Sequence, residues 1–372
     1  MKNTVLFFFL LFLACNLIGQ SKATKIPMQK EHWEYTDGKV EFINHQSTAA
    51  IKILERGVSI LPKGINFKKG TIEFDVETVA GPFVGINFRR QNDQEMERLY
   101  LRPYRAGNLM GGDAVQYAPI LKGVNLWDML GAYQAPALIK AEGWNHVKMV
   151  ISDEQMKVYI NDMQQPALMI PELLGNTSEG GLELYGTAIF ANFTVHPDEI
   201  EDLPNQAGAD PTSHDSRYLR NWSHTTPVFF PSGRDVVEKD MPNEETKWQE
   251  ISAERLGLVN LTRLYGRMEN NDRRLVWLKT TIQSNRQQEQ RMDLGFSDEV
   301  WVFINGQFLH IDKNFYVNAV RKEPDGRCDL SNTSFTVPLN EGVNELLIGV
   351  SNFFFGWGIV ARLDEVEGIQ FK

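Results

Sequence analysis

Cysteine is scarce in this chain. Only Cys15 and Cys328 occur among 372 residues, and Cys15 lies in an apolar N-terminal segment that we expect to be removed. Cys328 would then be the one remaining thiol, which excludes an intrachain disulfide. The fold must therefore be stabilised by core packing, even in an oxidising compartment.

Positive charge is also in deficit. Lysine and arginine number 38 against 48 aspartates and glutamates, which gives a formal net charge of −10. Nucleic acids and anionic membranes are bound through dense patches of lysine and arginine. The charge balance therefore argues against nucleic acid, or a charged lipid surface, as the main partner.

Motifs for several chemistries are missing. The chain has no Gly-x-Ser-x-Gly elbow, no phosphate-binding loop and no dinucleotide fingerprint, so we expect no nucleotide cofactor. Its seven histidines are scattered without the spacing of zinc ligands, and it contains no EF-hand loop. Sequence motifs therefore predict no metal site.

The strongly apolar run of the chain is at the N-terminus. Lys2 precedes residues 5–14, which include three consecutive phenylalanines, and the sequence turns polar at residues 20–22. This pattern predicts a secretory signal peptide over residues 1–20, too short to span a bilayer. We expect a periplasmic, secreted or outer-membrane-associated protein. Residues 12–15 loosely resemble a bacterial lipobox, so lipid attachment through Cys15 is an alternative.

Beyond this segment, short runs of alternating polarity dominate. Apolar residues at 72, 74 and 76 alternate with acids at 73, 75 and 77, as in a strand with one buried face. Comparable runs separated by turn residues recur along the chain, and Asn305-Gly306 is a strong hairpin signal. The pattern predicts an all-β protein with two antiparallel β-sandwich (jelly-roll) domains. We place them at residues 30–197 and 217–372, joined by an acidic linker at 198–216.

Residues 70–195 resemble the concanavalin A-like lectin/glucanase superfamily, in particular its laminin-G-like branch and the 3-keto-disaccharide hydrolase-like modules. The matching segments are 70–76, 85–89, 98–103, 113–117, 144–148, 158–161 and 190–193. This resemblance implies a fold more than a chemistry, because the superfamily contains lectins, hydrolases and adhesion modules. It also implies a calcium site as an option, since laminin-G-like domains often hold one.

A second resemblance covers residues 248–363. Segments 298–306 and 337–346 are similar to a galactose-binding-like jelly roll, a domain that accompanies many bacterial glycosidases. Near the end of this region, residues 353–358 read Phe-Phe-Phe-Gly-Trp-Gly. We expect this segment to pack the core or dock the first domain, with a sugar-stacking platform as the alternative.

Glu73, Asp75 and Glu77 are the candidate catalytic residues. Three carboxylates at alternate positions share one face of a strand, and the resemblance to laminarinase-type glucanases implies nucleophile, helper and acid in this pattern. The alternative is that a strand with one solvated face carries acids there for solubility.

The candidate ligand-binding residues follow in the next part of the sequence. Arginine and tyrosine alternate at 98, 100 and 102, and a long segment rich in glycine and aromatic residues follows at 105–141. Aromatic faces and planar hydrogen-bonding groups recognise sugars, so this region predicts a glycan site; the alternative is that the same residues pack a long loop. The candidates are Arg89, Arg98, Tyr100, Arg102, Asp113, Gln116, Tyr117, Trp127 and Tyr133.

Three functions are compatible with these patterns. We expect an exported, carbohydrate-associated protein that binds a glycan without cleaving it, through the first sandwich. The first alternative is a glycoside hydrolase-type enzyme, 3-keto-disaccharide hydrolase-like or glucanase-like, acting on an oligo- or polysaccharide. The second is a structural or adhesion protein of the envelope without a sugar ligand. Acids converging in an aromatic-lined groove would favour the enzyme, and a groove filled by its own loop would favour the structural protein.

Overall fold

Antiparallel β-sheets form most of the chain. The computed structural model describes residues 23–266, 272–317 and 319–371. Within them, two sheets are built from residues 24–197 and two more from residues 221–371. The predicted all-β sandwich class is therefore confirmed. The predicted signal segment, with Cys15, lies outside the described residues.

The strands of the first half are short and follow one another closely. Their bounds are β1 (Thr24–Lys25), β2 (Trp33–Glu34), β3 (Val40–His45), β4 (Thr48–Ile53), β5 (Ser59–Pro62), β6 (Gly70–Thr78), β7 (Val84–Asn92), β8 (Glu95–Leu101), β9 (Val115–Tyr117), β10 (Ile120–Leu121), β11 (Val124–Asn125), β12 (Gln134–Ala135), β13 (Asn145–Ile151), β14 (Met156–Ile160), β15 (Leu168–Ile170), β16 (Gly181–Tyr185) and β17 (Ala188–Pro197).

The second half continues with β18 (Asn221–His224), β19 (Val228–Phe229), β20 (Gln249–Ser252), β21 (Leu258–Asn260), β22 (Arg274–Ser284), β23 (Gln288–Ser297), β24 (Glu299–Ile304), β25 (Gln307–Lys313), β26 (Thr333–Leu339), β27 (Gly342–Asn352), β28 (Gly358–Leu363) and β29 (Ile369–Phe371). One short helix, α1 (Leu261–Tyr265), and 3₁₀ turns at Lys30–His32, Pro103–Arg105, Gly131–Tyr133, Glu238–Asp240 and Arg255–Gly257 complete the elements. Among these described elements, no helix has the length and apolar character needed to cross a membrane.

The first half is a sandwich of two sheets. One has the order β15-β14-β13-β6-β17-β4-β3, with β1 beside β17. The other has the order β11-β10-β8-β7-β16-β5-β2, with β9 beside β8 and β12 beside β9. Phe74, Phe190 and Phe193 pack between the sheets, and Trp33 meets Phe193 edge-on at 5.5 Å between ring centroids. Burial of such rings supplies the main stabilisation where the described residues contain a single cysteine, Cys328, which is free.

Strand β6 shows how the polarity pattern directs this packing. Ile72, Phe74 and Val76 are at most 2% exposed, whereas the acids between them are half-buried on the other face. Successive side chains of a strand point to opposite faces of the sheet. The three acids therefore lie on the outer face of the first sheet, away from the core.

The second half is another sandwich. Its larger sheet has the order β20-β18-β22-β27-β24-β25, with β19 and β29 also pairing with β22. Its smaller sheet has the order β21-β28-β23-β26. Met292, Phe296 and Trp357 are buried between these sheets.

The segment between the two sandwiches is anchored to both. Gly208 donates its N–H to the carbonyl of Pro171 in the first half at 2.7 Å. Arg255 of the second half donates to the carbonyls of Gly208 and Ala209 at 2.7 and 2.6 Å. Segment 198–216 is therefore an ordered connector rather than a free chain.

The two sandwiches meet around Asp128. Its carboxylate accepts the backbone N–H of Gly356 at 3.1 Å, and its carbonyl accepts the N–H of Cys328 at 2.8 Å. Leu258, Cys328 and Val360 of the second half pack against the core of the first. These contacts make one continuous interface.

Asp298 is a second buried carboxylate at this interface. It accepts the backbone N–H groups of Phe353 and Phe354, the latter at 2.7 Å. The Ser297 hydroxyl lies between the two acids, 3.0 Å from Asp298 and 3.5 Å from Asp128. Burial raises the pKa of Asp298 to about 7, and burial together with the charge of Asp298 raises the pKa of Asp128 well above its usual range.

A methyl group at Gly356 should weaken the interface. A Cβ at this position would lie 2.2 Å from Met129 Cγ and 2.7 Å from Asp128 Oδ1. We expect Gly356→Ala to lower the free energy of unfolding by about 1–3 kcal/mol, the usual cost of overpacking. Urea denaturation checks this. Gly112→Ala is the matched control, since nothing lies within 4 Å of its added Cβ; equal effects of both substitutions would contradict the packing account.

The raised pKa of Asp298 should make stability fall with increasing pH. Between its ordinary pKa and about 7, the folded state keeps a proton that the unfolded chain has released. The stabilisation is complete below the ordinary pKa and is lost as pH rises through about 7. Asp298→Asn keeps an acceptor for the two N–H groups without the charge, so we expect its melting temperature to fall less between pH 5 and pH 8, by on the order of 2–4 °C.

Melting curves at several pH values test this expectation, with Asp37→Asn on an exposed turn as the control. Glu97, whose pKa is raised to about 7 by burial, and Asp128, whose pKa burial also raises, should leave a residual slope in every variant. A slope in Asp298→Asn as steep as that of the parent chain would show that Asp298 does not contribute.

Candidate functional site

A cavity of about 440 Å³ lies where the two sandwiches meet. Its lining comes from both halves of the chain, and aromatic rings and arginines predominate in it. The lining residues are Arg56, Phe83, Arg98, Tyr100, Tyr104, Trp127, Tyr185, Arg102, Arg105, Asp113 and Asn125 from the first half, and Tyr316, Asp325, Arg327, Phe354 and Phe355 from the second.

Strand β8 and the turn after it place alternating arginine and tyrosine side chains in one wall. The Tyr100 hydroxyl donates to Gln116 Oε1 at 2.8 Å, and Arg102 Nη2 donates to the same oxygen at 2.6 Å. Gln116 Nε2 in turn donates to the carbonyl of Trp127 at 2.8 Å. Gln116 is fully buried and holds three lining residues in place from behind.

Asp113 joins two arginines in the same wall. Its carboxylate lies 3.5 Å from Arg102 Nε and 2.6 Å from Arg105 Nε, and its carbonyl accepts from Arg102 Nη1. Only 8% of Asp113 is exposed. A buried carboxylate requires such pairing, so Asp113 has a structural role in holding the two arginines in the cavity wall.

Aromatic contacts connect the two halves across the cavity. The Trp127 ring meets Tyr316 at 4.7 Å and Phe355 at 5.9 Å, both edge-on. Tyr316 stacks on Phe354 with an interplanar angle of 6°. The guanidinium of Arg327 lies 5.2 Å from the centre of the Trp127 ring, within the range of a cation–π contact.

The loop that presents Phe354 and Phe355 is held on both sides. Asp298 accepts the N–H groups that precede Phe355 in the chain, and Asp128 accepts the N–H that follows it. Phe355 has a φ of 56°, in a region that bulky residues avoid. Phe355, 43% exposed, therefore lies at the cavity in a backbone conformation that the surrounding structure must impose.

The structure brings together five of the predicted ligand-binding residues. Arg98, Tyr100, Arg102, Asp113 and Trp127 all line the cavity. Gln116 supports them from behind without lining it.

Arg89 has a structural position instead. Its guanidinium donates to the carbonyls of Lys68, Ser152 and Asp153, and 2% of the residue is exposed. The register of β7 against β8 shifts between Phe88 and Asn92, and Arg89 has a φ of 50°. This irregularity points its side chain into the protein, so we leave Arg89 out of the candidate site.

Tyr117 and Tyr133 also lie apart from the cavity. Tyr117 is fully buried, where its hydroxyl donates to Glu97 at 2.6 Å and accepts the N–H of Leu174 at 2.6 Å. Tyr133 borders a different interdomain cavity, of about 540 Å³, together with Arg255. Neither tyrosine contributes to the wall formed by Trp127 and Tyr100.

Several lining residues were not singled out from the sequence. Phe83 and Tyr185 flank the Arg98 and Tyr100 side chains, with Phe83 edge-on to Tyr100 at 5.3 Å and the Arg98 guanidinium 4.6 Å from the Tyr185 ring centre. Strand β7 begins one residue after Phe83, and Tyr185 ends β16, which pairs with it. Knowledge of which strands pair would have identified both residues. Inspection of one continuous segment of the sequence could not, because the two residues come from different strands.

Glu73, Asp75 and Glu77 are engaged by histidines on the outer face of the first sheet. His146 Nδ1 lies 2.7 Å from Asp75 and its Nε2 lies 3.2 Å from Glu73, while His45 Nε2 lies 2.9 Å from Glu77. None of the three acids lines the two interdomain cavities. The three acids are therefore paired with histidines on the outer face, and a catalytic role for them stays a prediction.

The histidine contacts change the proton affinities in this cluster. The hydrogen bond with Asp75 raises the pKa of His146, against the effect of its partial burial. Burial raises the pKa of Asp75, but hydrogen bonds from His146 and Asn192 outweigh it, so that this pKa lies below its usual range. Across the described ranges, no group of three or more histidine, cysteine, aspartate and glutamate side chains is arranged to hold a metal ion.

Comparisons with known proteins give partial structural similarities. No family model and no curated protein matches the chain. A carbohydrate-binding module, CBM66 from Bacillus subtilis, is similar at 16% identity and a TM-score of 0.32, over 44% of this chain and 95% of that one. A putative glycosyl hydrolase from Parabacteroides distasonis is similar at 13% identity and 0.35, over 47% and 99%. A β-glucanase from Bacillus licheniformis is similar at 10% identity and 0.33, over 48% and 98%.

The raised pKa of His146 predicts a pH-dependent contribution to stability. The contribution is complete below the ordinary histidine pKa of about 6.5 and is lost as pH rises through the folded-state value. His146→Gln should therefore be destabilised most at pH 6 and below, by about 1 kcal/mol or less because the side chain is 37% exposed. Urea denaturation from pH 5.5 to 8.5 measures the difference, with exposed His214→Gln as the control. If the loss of unfolding free energy in His146→Gln increased with pH, the result would contradict the prediction.

Proposed function

We propose that the protein binds carbohydrate in the cavity between the two sandwiches. The observation that carries this proposal is the composition of the wall: rings of Trp127, Tyr316 and Phe355 beside hydrogen-bonding side chains of Arg98 and Tyr100. Apolar C–H faces of a sugar stack on aromatic rings, and its hydroxyls require planar donors and acceptors around them. A volume of about 440 Å³ is in the usual range for small-molecule sites.

The same wall favours binding over hydrolysis. Glycoside hydrolysis uses two carboxyl groups on either side of the scissile bond, one of them able to give up a proton. Asp113 and Asp325 are the carboxylates of the lining. Asp113 is held by Arg102 and Arg105, and Asp325 lies 3.4 Å from Arg327. Both carboxylates of the lining are therefore engaged by arginines, which leaves neither as a free partner in a pair across a bound sugar.

We further propose that the protein acts outside the cytoplasm. The basic residue and apolar run of residues 1–20 support export. A glycan-binding protein meets polysaccharides in the periplasm or at the cell surface, so export and the proposed ligand are consistent with each other. The lipobox-like residues 12–15 keep attachment through Cys15 as the alternative to release by cleavage.

A glycan array with the chain lacking residues 1–20 tests the proposed function. We expect binding without product release. Trp127→Ala and Tyr104→Ala should each weaken it about tenfold or more, because each removes an aromatic surface from the cavity. Product analysis on every bound glycan accompanies the binding measurement.

Phe308→Ala is the matched control for Tyr104→Ala. Both aromatic residues are 59% exposed, but Phe308 lies on β25 and contacts Phe303 at 5.6 Å, away from the cavity lining. Loss of binding in Phe308→Ala alone would place the site elsewhere. Cleavage that survives Trp127→Ala but is abolished in Glu73→Gln or Glu77→Gln would show that the outer strand is catalytic.

A further inference from the structure

The cavity carries positive charge although the chain as a whole is acidic. Five arginines and two aspartates line it, which leaves three positive charges in excess. The formal net charge of the chain is −10. Such a local reversal in a concave site attracts anions, because low-dielectric walls focus the field.

Two of these arginines have capacity left for a ligand. Arg98 donates from Nε to Asn87 Oδ1 at 2.7 Å, and among the described residues its two terminal nitrogens make no hydrogen bond. Arg56 is exposed in the turn between β4 and β5. It borders the cavity and has no ion pair in the part of the chain that the structure describes.

A buried hydroxyl adjoins them. The Tyr185 ring lies under the Arg98 guanidinium at 4.6 Å, and its hydroxyl oxygen is buried without a hydrogen-bond partner in the described ranges. Burial raises the pKa of Tyr185 to about 12, so the hydroxyl keeps its proton and remains a donor. An unpartnered buried hydroxyl costs free energy that an acceptor on a ligand would recover.

We infer that the carbohydrate bound in this cavity carries an oxyanion substituent, a carboxylate or a sulfate, held by Arg98 with Arg56 and Tyr185. The inference depends on the proposed function, since it names the class of glycan that the same cavity takes. The planar fork of an arginine matches two oxygens of a carboxylate or sulfate. The aromatic wall at Trp127 stacks on the sugar ring, while Arg98 and Arg56, on the first-sandwich side, bind its charged group.

Binding to matched polymers that differ in charge tests the inference. Polygalacturonate is compared with the same polymer after reduction of its carboxyl groups, and dextran sulfate with dextran, by isothermal titration with the chain lacking residues 1–20. We expect at least one acidic polymer to bind tenfold or more tightly than its neutral counterpart. Preference for polygalacturonate identifies a carboxylate, and preference for dextran sulfate identifies a sulfate.

Variants distinguish binding at this site from nonspecific electrostatic attraction between the protein and a polyanion. The double variant Arg56→Gln/Arg98→Gln should lose the preference, and Arg98→Lys should keep part of it because a charge without the fork remains. Arg286→Gln is the control, an exposed arginine near Glu367 in the second sandwich. Circular dichroism confirms that each variant is folded. A preference that persists in the double variant overturns the inference.

The remaining outcomes distinguish this inference from the proposed function. Equal binding of acidic and neutral polymers, lost in Trp127→Ala, would overturn the anionic class and leave carbohydrate binding intact. Absence of binding to all four polymers would overturn the anionic class, and the glycan array would then decide the proposed function by itself.

Discussion

Two buried carboxylates at the junction of the sandwiches determine the shape of the cavity. Asp128 comes from the first half and Asp298 from the second, and together they accept three backbone N–H groups of the Phe353–Gly356 loop. Without these bonds the N–H groups would be buried and unpaired, which is costly. The positions of the rings on this loop are therefore fixed by contacts at the interface rather than by the intrinsic conformational propensity of the loop.

The same interface makes the cavity a composite of both sandwiches. The first sandwich contributes a wall ordered by Gln116, whose amide connects Tyr100, Arg102 and the Trp127 carbonyl. The second contributes Tyr316 and Phe355, which both meet the Trp127 ring edge-on, and Phe354, which stacks on Tyr316. Aromatic stacking surfaces and arginines thus meet in one concave site, although neither sandwich holds the complete set.

Polarity patterns predicted the fold well because strand periodicity is a local property. Alternation in β6 identified both the buried face and the acidic outer face, and the i, i+2 spacing of Arg98, Tyr100 and Arg102 identified one wall of the cavity. Arg89 was a candidate because it lies near these residues in the sequence, and the register shift that accompanies its inward position could not be predicted from polarity alone. The contribution of Tyr316 to the cavity could not be predicted either, because Tyr316 approaches Trp127 only when the two halves pack together.

The Phe-Phe-Phe-Gly-Trp-Gly segment shows why docking and ligand binding were hard to separate from sequence. Trp357 fills the second core, and Gly356 contacts Asp128 across the interface. Phe354 and Phe355 line the cavity. One short segment therefore packs in a core, contacts the other sandwich and lines the cavity, so its sequence alone could not assign it a single role.

The burial of Cys328 has a practical consequence. Its thiol is enclosed where the second half packs on the first, and burial raises its pKa. A thiol in that state reacts slowly with alkylating reagents, because the thiolate is the reactive species and only 8% of the residue is exposed. Its labelling rate therefore reports how often the two sandwiches separate, so the chain contains its own chemical probe of interdomain opening.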